Sequence, residues 1–157
     1  MLGLTLGGGS GIHHHLMSLE TTLILFKPDA VSKQLCGQVL ARFEGAGLKI
    51  CGIKMLKFSD ALLQEHYAHI ASKPFFPDVV VFMQQTPIIA LALSGDNAVS
   101  RVRSLLGPTD SRKADKGTIR GDLGLDVMVN VCHASDSSEA AAAEVKRFFR
   151  PEEIFAR

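Results

Sequence analysis

The chain has 157 residues, with 17 Lys and Arg against 16 Asp and Glu and a formal net charge of +1. That length allows one domain with a substantial core, and the near-balanced charge does not suggest a general nucleic-acid binder held by a large basic surface. Cys36, Cys51 and Cys132 are odd in number and lack metal-ligand spacing, so reduced thiols in a cytoplasmic protein fit better than a secreted disulfide framework. No apolar run approaches the roughly 20 residues needed to cross a bilayer, so no membrane partner is expected.

Residues 1–16, MLGLTLGGGSGIHHHL, are glycine-rich, carry three consecutive histidines and precede a second methionine, Met17. They lack the basic start of a secretion signal and read as a foreign leader or disordered tail, leaving residues 17–157 as a single domain. Thr21 to Phe26, TTLILF, is a central strand apolar on both faces. It delivers Lys27, which Pro28 holds extended. Leu35, Val39, Leu40 and Phe43 mark one face of a helix closed by Gly45 and Gly47. Leu48 to Phe58 is a second strand, and Ser59 is the N-cap of DALLQEHYAHI, where Leu62, Leu63, Tyr67 and Ile70 recur at helical spacing. By pattern, the single tyrosine, Tyr67, belongs at the edge of a core. KPFFPDVVVFMQQ is ambiguous, because Val79 to Val81 favour a strand while two prolines suit the start of a short helix.

Pro87 to Leu93 is a third strand; Gly95 and Asp96 open a helix through Leu106 that Gly107 and Pro108 stop. Its buried stripe is Val99, Val102 and Leu106, with Arg103 at the edge and Arg101 solvated on the far side. Thr109 to Arg120 is a long polar connection of the kind that tends to be functional.

Leu123, Leu125, Val127, Val129 and Val131 alternate with other residues as in a strand whose opposite face carries Asn130 and Cys132. His133 ends it. Asp136 and Glu139 then have the spacing of a capping box for an alanine-rich helix through Phe149. This places an imidazole at a strand end facing a helix N-terminus, where anions are attracted and a phosphate could be bound or attacked. A single histidine there is usually structural, so the rest of the chain has to decide its role. The element order gives a layered α/β or α+β domain with helices on one side of a four-stranded sheet, its strand order open.

From about Glu20 to Phe155 the chain resembles the nucleoside diphosphate kinases, collinearly through FKPDAV, EHYAHIASKPFF, RVRSLLGPTD, KGTIRGD and NVCHASDS. The resemblance implies an α+β, ferredoxin-like βαββαβ fold with a four-stranded antiparallel sheet, and a helix for KPFFPDVVVFMQQ. It also implies transfer of a γ-phosphate from a nucleoside triphosphate to a nucleoside diphosphate by a ping-pong mechanism through a phosphohistidine at His133. Glu144 matches the glutamate that orients that imidazole, and Ser135 the serine that holds the glutamate. Lys27 and Tyr67 match contacts to the γ-phosphate, Arg103 and Arg120 to the terminal phosphates, Thr109 to the β-phosphate and Asn130 to the ribose 3′-hydroxyl. Phe75 matches the residue stacked on the base, with Val79 and Val127 lining the same slot; stacking is indifferent to base identity. Mg²⁺ is implied as a cofactor carried mainly by the phosphates, with no protein metal cluster. The family's usual glycines after the histidine and after the lysine motif are Ala134 and Ala30 here, a change expected to leave activity intact. The chain resembles the short bacterial type, which implies a homo-oligomer, tetramer or hexamer. A non-catalytic nucleotide-binding module is the rival reading, against which the full set of site residues argues.

Overall fold

A computed structural model describes residues 19–156; the reading of residues 1–16 lies outside the described residues. Strand β1 (Leu19–Phe26) runs antiparallel to β3 (Ile88–Asp96) along its whole length, from Leu19 opposite Asp96 to Phe26 opposite Ile89. Strand β2 (Lys49–Leu56) pairs with the other side of β3, and the short β4 (Cys132–Ala134) pairs with the end of β1, setting His133 opposite Leu25. The order β2-β3-β1-β4, all antiparallel, is the ferredoxin-like arrangement expected.

Because β1 is apolar on both faces, both have to be covered, and the helices are not confined to one side. Ile24 and Phe26 pack with Val39 and Phe43 of α2 (Cys36–Gly45) and with Val102 and Leu106 of α5 (Ala98–Leu106). Leu23 and Leu25 pack on the opposite face with Leu63 of α3 (Asp60–His66), Met83 of α4 (Phe76–Met83) and Phe148 of α7 (Ser138–Phe148). The expectation of one-sided helices is thus corrected: two cores flank the sheet.

Local chemistry sets the element ends. Lys27 is extended, with φ −75° and ψ 166°, and Pro28 opens the short α1 (Pro28–Ser32). Ser59 caps α3 by accepting from Leu62 N, as expected, but the helix stops at His66 rather than running to Ile70. Pro77 in the first turn of α4 and burial of Phe76 and Met83 override the strand preference of Val79 to Val81. Strand β3 continues to Asp96, two residues short of α5. Arg101 is not merely solvated: it donates to Ala46 O and, at 3.2 Å, to Asp96 O, tying α5 to the end of α2.

The largest departure is Leu123 to Val131. Leu123 ends α6 (Ile119–Leu123), and residues 124–131 form a loop. Asp126 Oδ1 accepts from Met128 N at 2.8 Å and Val129 N at 2.7 Å, and Leu125 N donates to Val129 O at 2.7 Å, closing an aspartate-nucleated turn. The alternating apolar residues do not share a face: Val131 is buried, whereas Leu125 and Val127 are exposed. Before α7, the cap is Ser137, whose hydroxyl accepts from Ala140 N at 3.0 Å, and not the expected Asp136–Glu139 box.

Candidate active site

The end of β1 is pinned to the loop that precedes β4. Lys27 N donates to Val131 O at 3.0 Å, while its Nζ donates to Met128 O at 2.5 Å and Asn130 Oδ1 at 2.9 Å and lies 5.3 Å from the centre of the Phe82 ring. Burial lowers the Lys27 pKa from 10.5 to about 8, with Asp29 opposing the shift. Asp29 Oδ2 accepts from Val131 N at 3.0 Å, and Val131 has φ +76°, a strained conformation for a β-branched residue. Asp29 thereby holds the backbone that aims Asn130 and His133. Sequence reading passed over it, although a carboxylate directly after Lys-Pro at the end of a buried strand was a usable signal.

Asn130 donates from Nδ2 to Thr109 O at 2.9 Å and Val127 O at 3.1 Å. Arg120, brought in by α6, donates to Asn130 O (3.2 Å), Gly107 O (3.1 Å) and Cys132 O (2.6 Å). Burial lowers its pKa, yet a guanidinium stays charged under any working condition. It is therefore a clamp on three backbone carbonyls, joining the end of α5 to the chain entering β4, as well as a cation. Arg103 reaches over from α5 to Ala134 O at 3.4 Å.

Glu144 Oε1 lies 2.7 Å from His133 Nε2. The contact fixes His133 about two turns into α7, rather than at the helix N-terminus as the sequence suggested. Burial raises the Glu144 pKa, but the His133 bond and charge, the Ser135 hydroxyl and His66 outweigh it, leaving the carboxyl below its ordinary value. An ionised carboxylate only accepts, so His133 carries a proton on Nε2, and in the neutral imidazole the lone pair then lies at Nδ1. The Ser135 hydroxyl is shared with the Leu23 backbone, accepting from its N at 3.3 Å and facing its O at 3.4 Å. Glu144 Oε2 is buried without a hydrogen-bond partner among the described residues. Ser135 thus stands beside the carboxylate while bound to β1.

His66 was not singled out by sequence. Its ring meets His133 edge to face, with centroids 4.6 Å apart, and its Nδ1 accepts from Arg147 Nη1 at 3.1 Å. Adjacency to Tyr67 is the one hint the sequence held. Burial pushes the Tyr67 phenol upward, with Glu144 adding to the shift, so Tyr67 remains a hydroxyl donor. His66, His133 and Glu144 have ligand atoms within 4.8 Å of one another, but His66 Nδ1 is taken by Arg147 and Glu144 Oε1 by His133. Two imidazoles and one occupied carboxylate do not suit Mg²⁺, which demands oxygens. The cations and donors elsewhere in the site fit an anionic, phosphate-bearing ligand.

A cavity of about 810 Å³ is lined by every predicted site residue except Ser135, a size that holds a small-molecule ligand. Phe75 and Val127, both half-exposed, and Val79 form an apolar end, while Lys27, Arg103, Arg120 and the exposed Thr109 gather toward His133. Ala30 and Ala134 are buried, and neither is among the residues with positive φ, so neither is strained where the family's glycine would stand.

An apolar slot, several cations and an imidazole with one nitrogen engaged and the other free, all on a ferredoxin-like sheet, define a nucleotide-binding phosphotransferase. Residues 20–154 match the family model for nucleoside diphosphate kinase. The nucleoside diphosphate kinase of Staphylothermus marinus is 48% identical over 138 residues, covering 88% of this chain and 98% of its own. That of Pyrococcus abyssi is 46% identical over 139 residues, 87% of each chain. Among solved structures, the Aquifex aeolicus enzyme superposes with a TM-score of 0.83 at 41% identity, covering 87% of this chain and 99% of its own. The Halobacterium salinarum enzyme, in complex with CDP, gives 0.85 at 38% identity, covering 88% and 92%. The chain belongs to the nucleoside diphosphate kinase family, and its reaction is the ping-pong transfer of a γ-phosphoryl group from a nucleoside triphosphate to a nucleoside diphosphate.

Proposed function

We propose that His133 carries the phosphoryl group. Its Nδ1 lone pair forms the bond to the γ-phosphorus as the bond from that phosphorus to the β,γ-bridging oxygen breaks, and the diphosphate leaves with the electron pair. A second diphosphate then attacks the phosphohistidine through a terminal oxygen and returns Nδ1 to its starting state. The observation that carries this reading is the 2.7 Å contact between His133 Nε2 and Glu144 Oε1, which leaves Nδ1 unprotonated with the ring held. A neutral imidazole needs no further base, unlike a serine hydroxyl.

The remaining roles are those of a site that works by positioning and charge. Lys27 and Tyr67 contact the γ-phosphate, Arg103 and Arg120 the terminal phosphates and Thr109 the β-phosphate. Asn130 binds the ribose 3′-hydroxyl, and Phe75, Val79 and Val127 hold the base. Ser135 steadies Glu144. Mg²⁺ supplies charge neutralisation on the phosphate oxygens. The CDP bound by the Halobacterium salinarum relative supports a diphosphate as acceptor. The protein works in the cytoplasm: its three thiols are free, and among the described residues no helix is long and apolar enough to cross a membrane. It is a homo-oligomer, tetramer or hexamer. Support comes from the outer edge of β2, which has no partner strand among the described residues and carries half-exposed Ile53 and Met55. His133→Ala should abolish ATP-dependent phosphorylation of the protein while nucleotide still binds; full turnover by that variant would overturn the assignment.

A further inference from the structure

Of the Lys and Arg side chains lining the cavity, Arg147 alone has no part in the reading above. It sits in the last turn of α7, three residues after Glu144, a spacing that puts both on one helix face. Nη1 lies 3.1 Å from His66 Nδ1, Nε lies 3.3 Å from Glu65 Oε1, and the side chain is only 19% exposed. A guanidinium has donors and no acceptor, so His66 Nδ1 must accept and the proton of that imidazole must reside on Nε2.

The consequence reaches His133. His66 Nδ1 is 3.9 Å from Glu144 Oε1, the same oxygen that His133 Nε2 approaches at 2.7 Å. With its proton on Nδ1, His66 would need to move only about 1 Å to donate to that oxygen. Oε1 would then share its charge between two donors, and its hold on His133 Nε2, which keeps Nδ1 available, would weaken. The groups facing His66 are His133 on β4, Glu144 and Arg147 on α7, and His69 beyond the end of α3, with Glu65 reaching it only through Arg147. The rings of Phe58, Tyr67 and Phe148 enclose it as well. Burial first, then the charges of His133, Arg147 and His69, lower its pKa to about 3 against the opposing pull of Glu144, so it stays neutral and its tautomer is the open variable.

We propose that Arg147 is a positioning residue: by donating to His66 Nδ1 it holds the proton of His66 on Nε2 and reserves Glu144 Oε1 for His133. The proposal rests on His133 being the phosphoryl carrier. It is tested on the full chain with ¹⁵N-labelled histidine, by two-bond imidazole correlation spectra and single-turnover phosphorylation by ATP and Mg²⁺, comparing the wild type with Arg147→Met and Arg147→Lys. The wild type shows His66 protonated at Nε2. Arg147→Met populates the Nδ1–H form of His66 and slows phosphorylation at saturating ATP by about tenfold, the scale at which partners behind a working imidazole act, with ATP affinity changed less than about twofold. Arg147→Lys restores most of both. A wild-type His66 protonated at Nδ1 overturns the proposal without any variant, as does Arg147→Met with an unchanged rate, or with affinity lost and rate kept. Failure of the underlying reading looks different: the wild type itself would yield no phosphohistidine at His133.

Discussion

One hydrogen bond to Glu144 sets both the tautomer and the orientation of His133, and neither contribution involves nucleotide binding. Glu144→Ala should therefore slow phosphorylation of the protein by roughly 10–100-fold, the scale of a misaligned reacting group, while the dissociation constant for ATP stays within about twofold. Single-turnover kinetics separates the two quantities, and a pure affinity loss would contradict the orienting role. Lys27 behaves differently, because in the proposed role its charge is what binds the phosphates. With a pKa of about 8 in the folded protein against 10.5 ordinarily, caused by burial and opposed by Asp29, it loses its proton as pH rises through 8. Between those values the unfolded chain binds more protons than the folded one, so the group's contribution to stability rises with pH and is lost as pH falls through 8. Affinity runs the opposite way: ATP binding to the free enzyme should weaken from pH 7 to 9, and in Lys27→Met it should be weaker throughout and lack this step. Titration calorimetry across that range checks both, and a wild-type affinity flat in pH would refute it.

At the scale of elements, the segment from α6 to β4 carries Arg120, Asn130 and His133, and its shape is set by backbone contacts rather than by a ladder. Gly121 illustrates this. A Cβ there would lie 1.9 Å from Asp115 O, a backbone atom that cannot step aside. Gly121→Ala should cost roughly 1–3 kcal/mol of stability, as overpacking does, and weaken ATP binding by displacing Arg120; thermal melts and binding isotherms read the two effects, and an unchanged melting temperature would refute the contact. The same segment marks where legibility ended. TTLILF and PIIALAL were readable as strands because continuous apolar runs reflect burial on both faces, and Ser59 was readable as a cap because its chemistry is local. Leu123 to Val131 misled, since a period of two looks the same whether it comes from a pleat or from a loop in which Leu123 and Val131 meet the core while Leu125 and Val127 are exposed. The Asp126 turn is local, but the strained Val131 is held by Asp29, about a hundred residues earlier, which no local pattern reveals. Most of the candidate site came from the family resemblance. His66 and Arg147 were missed, because an interior imidazole and a helix-end arginine gain meaning only once α3 and α7 pack together.

For the whole molecule, two cores on opposite faces of one sheet converge on a single cavity. Arg103 comes from the α5 side, Glu144 and His66 from the α7 side, and Lys27 and His133 from neighbouring strand ends between them. Neither layer alone assembles the proposed nucleophile with its counter-charges, so in this account the ping-pong cycle is a property of the complete fold. The measurement that tests this most directly is the intact mass of the protein after incubation with ATP and Mg²⁺, and again after addition of GDP. The account predicts one added phosphoryl group, acid-labile and located on His133, that is lost to GDP with formation of GTP. A protein that binds ATP yet gains no mass, or that keeps its phosphoryl group in the presence of GDP, would contradict it.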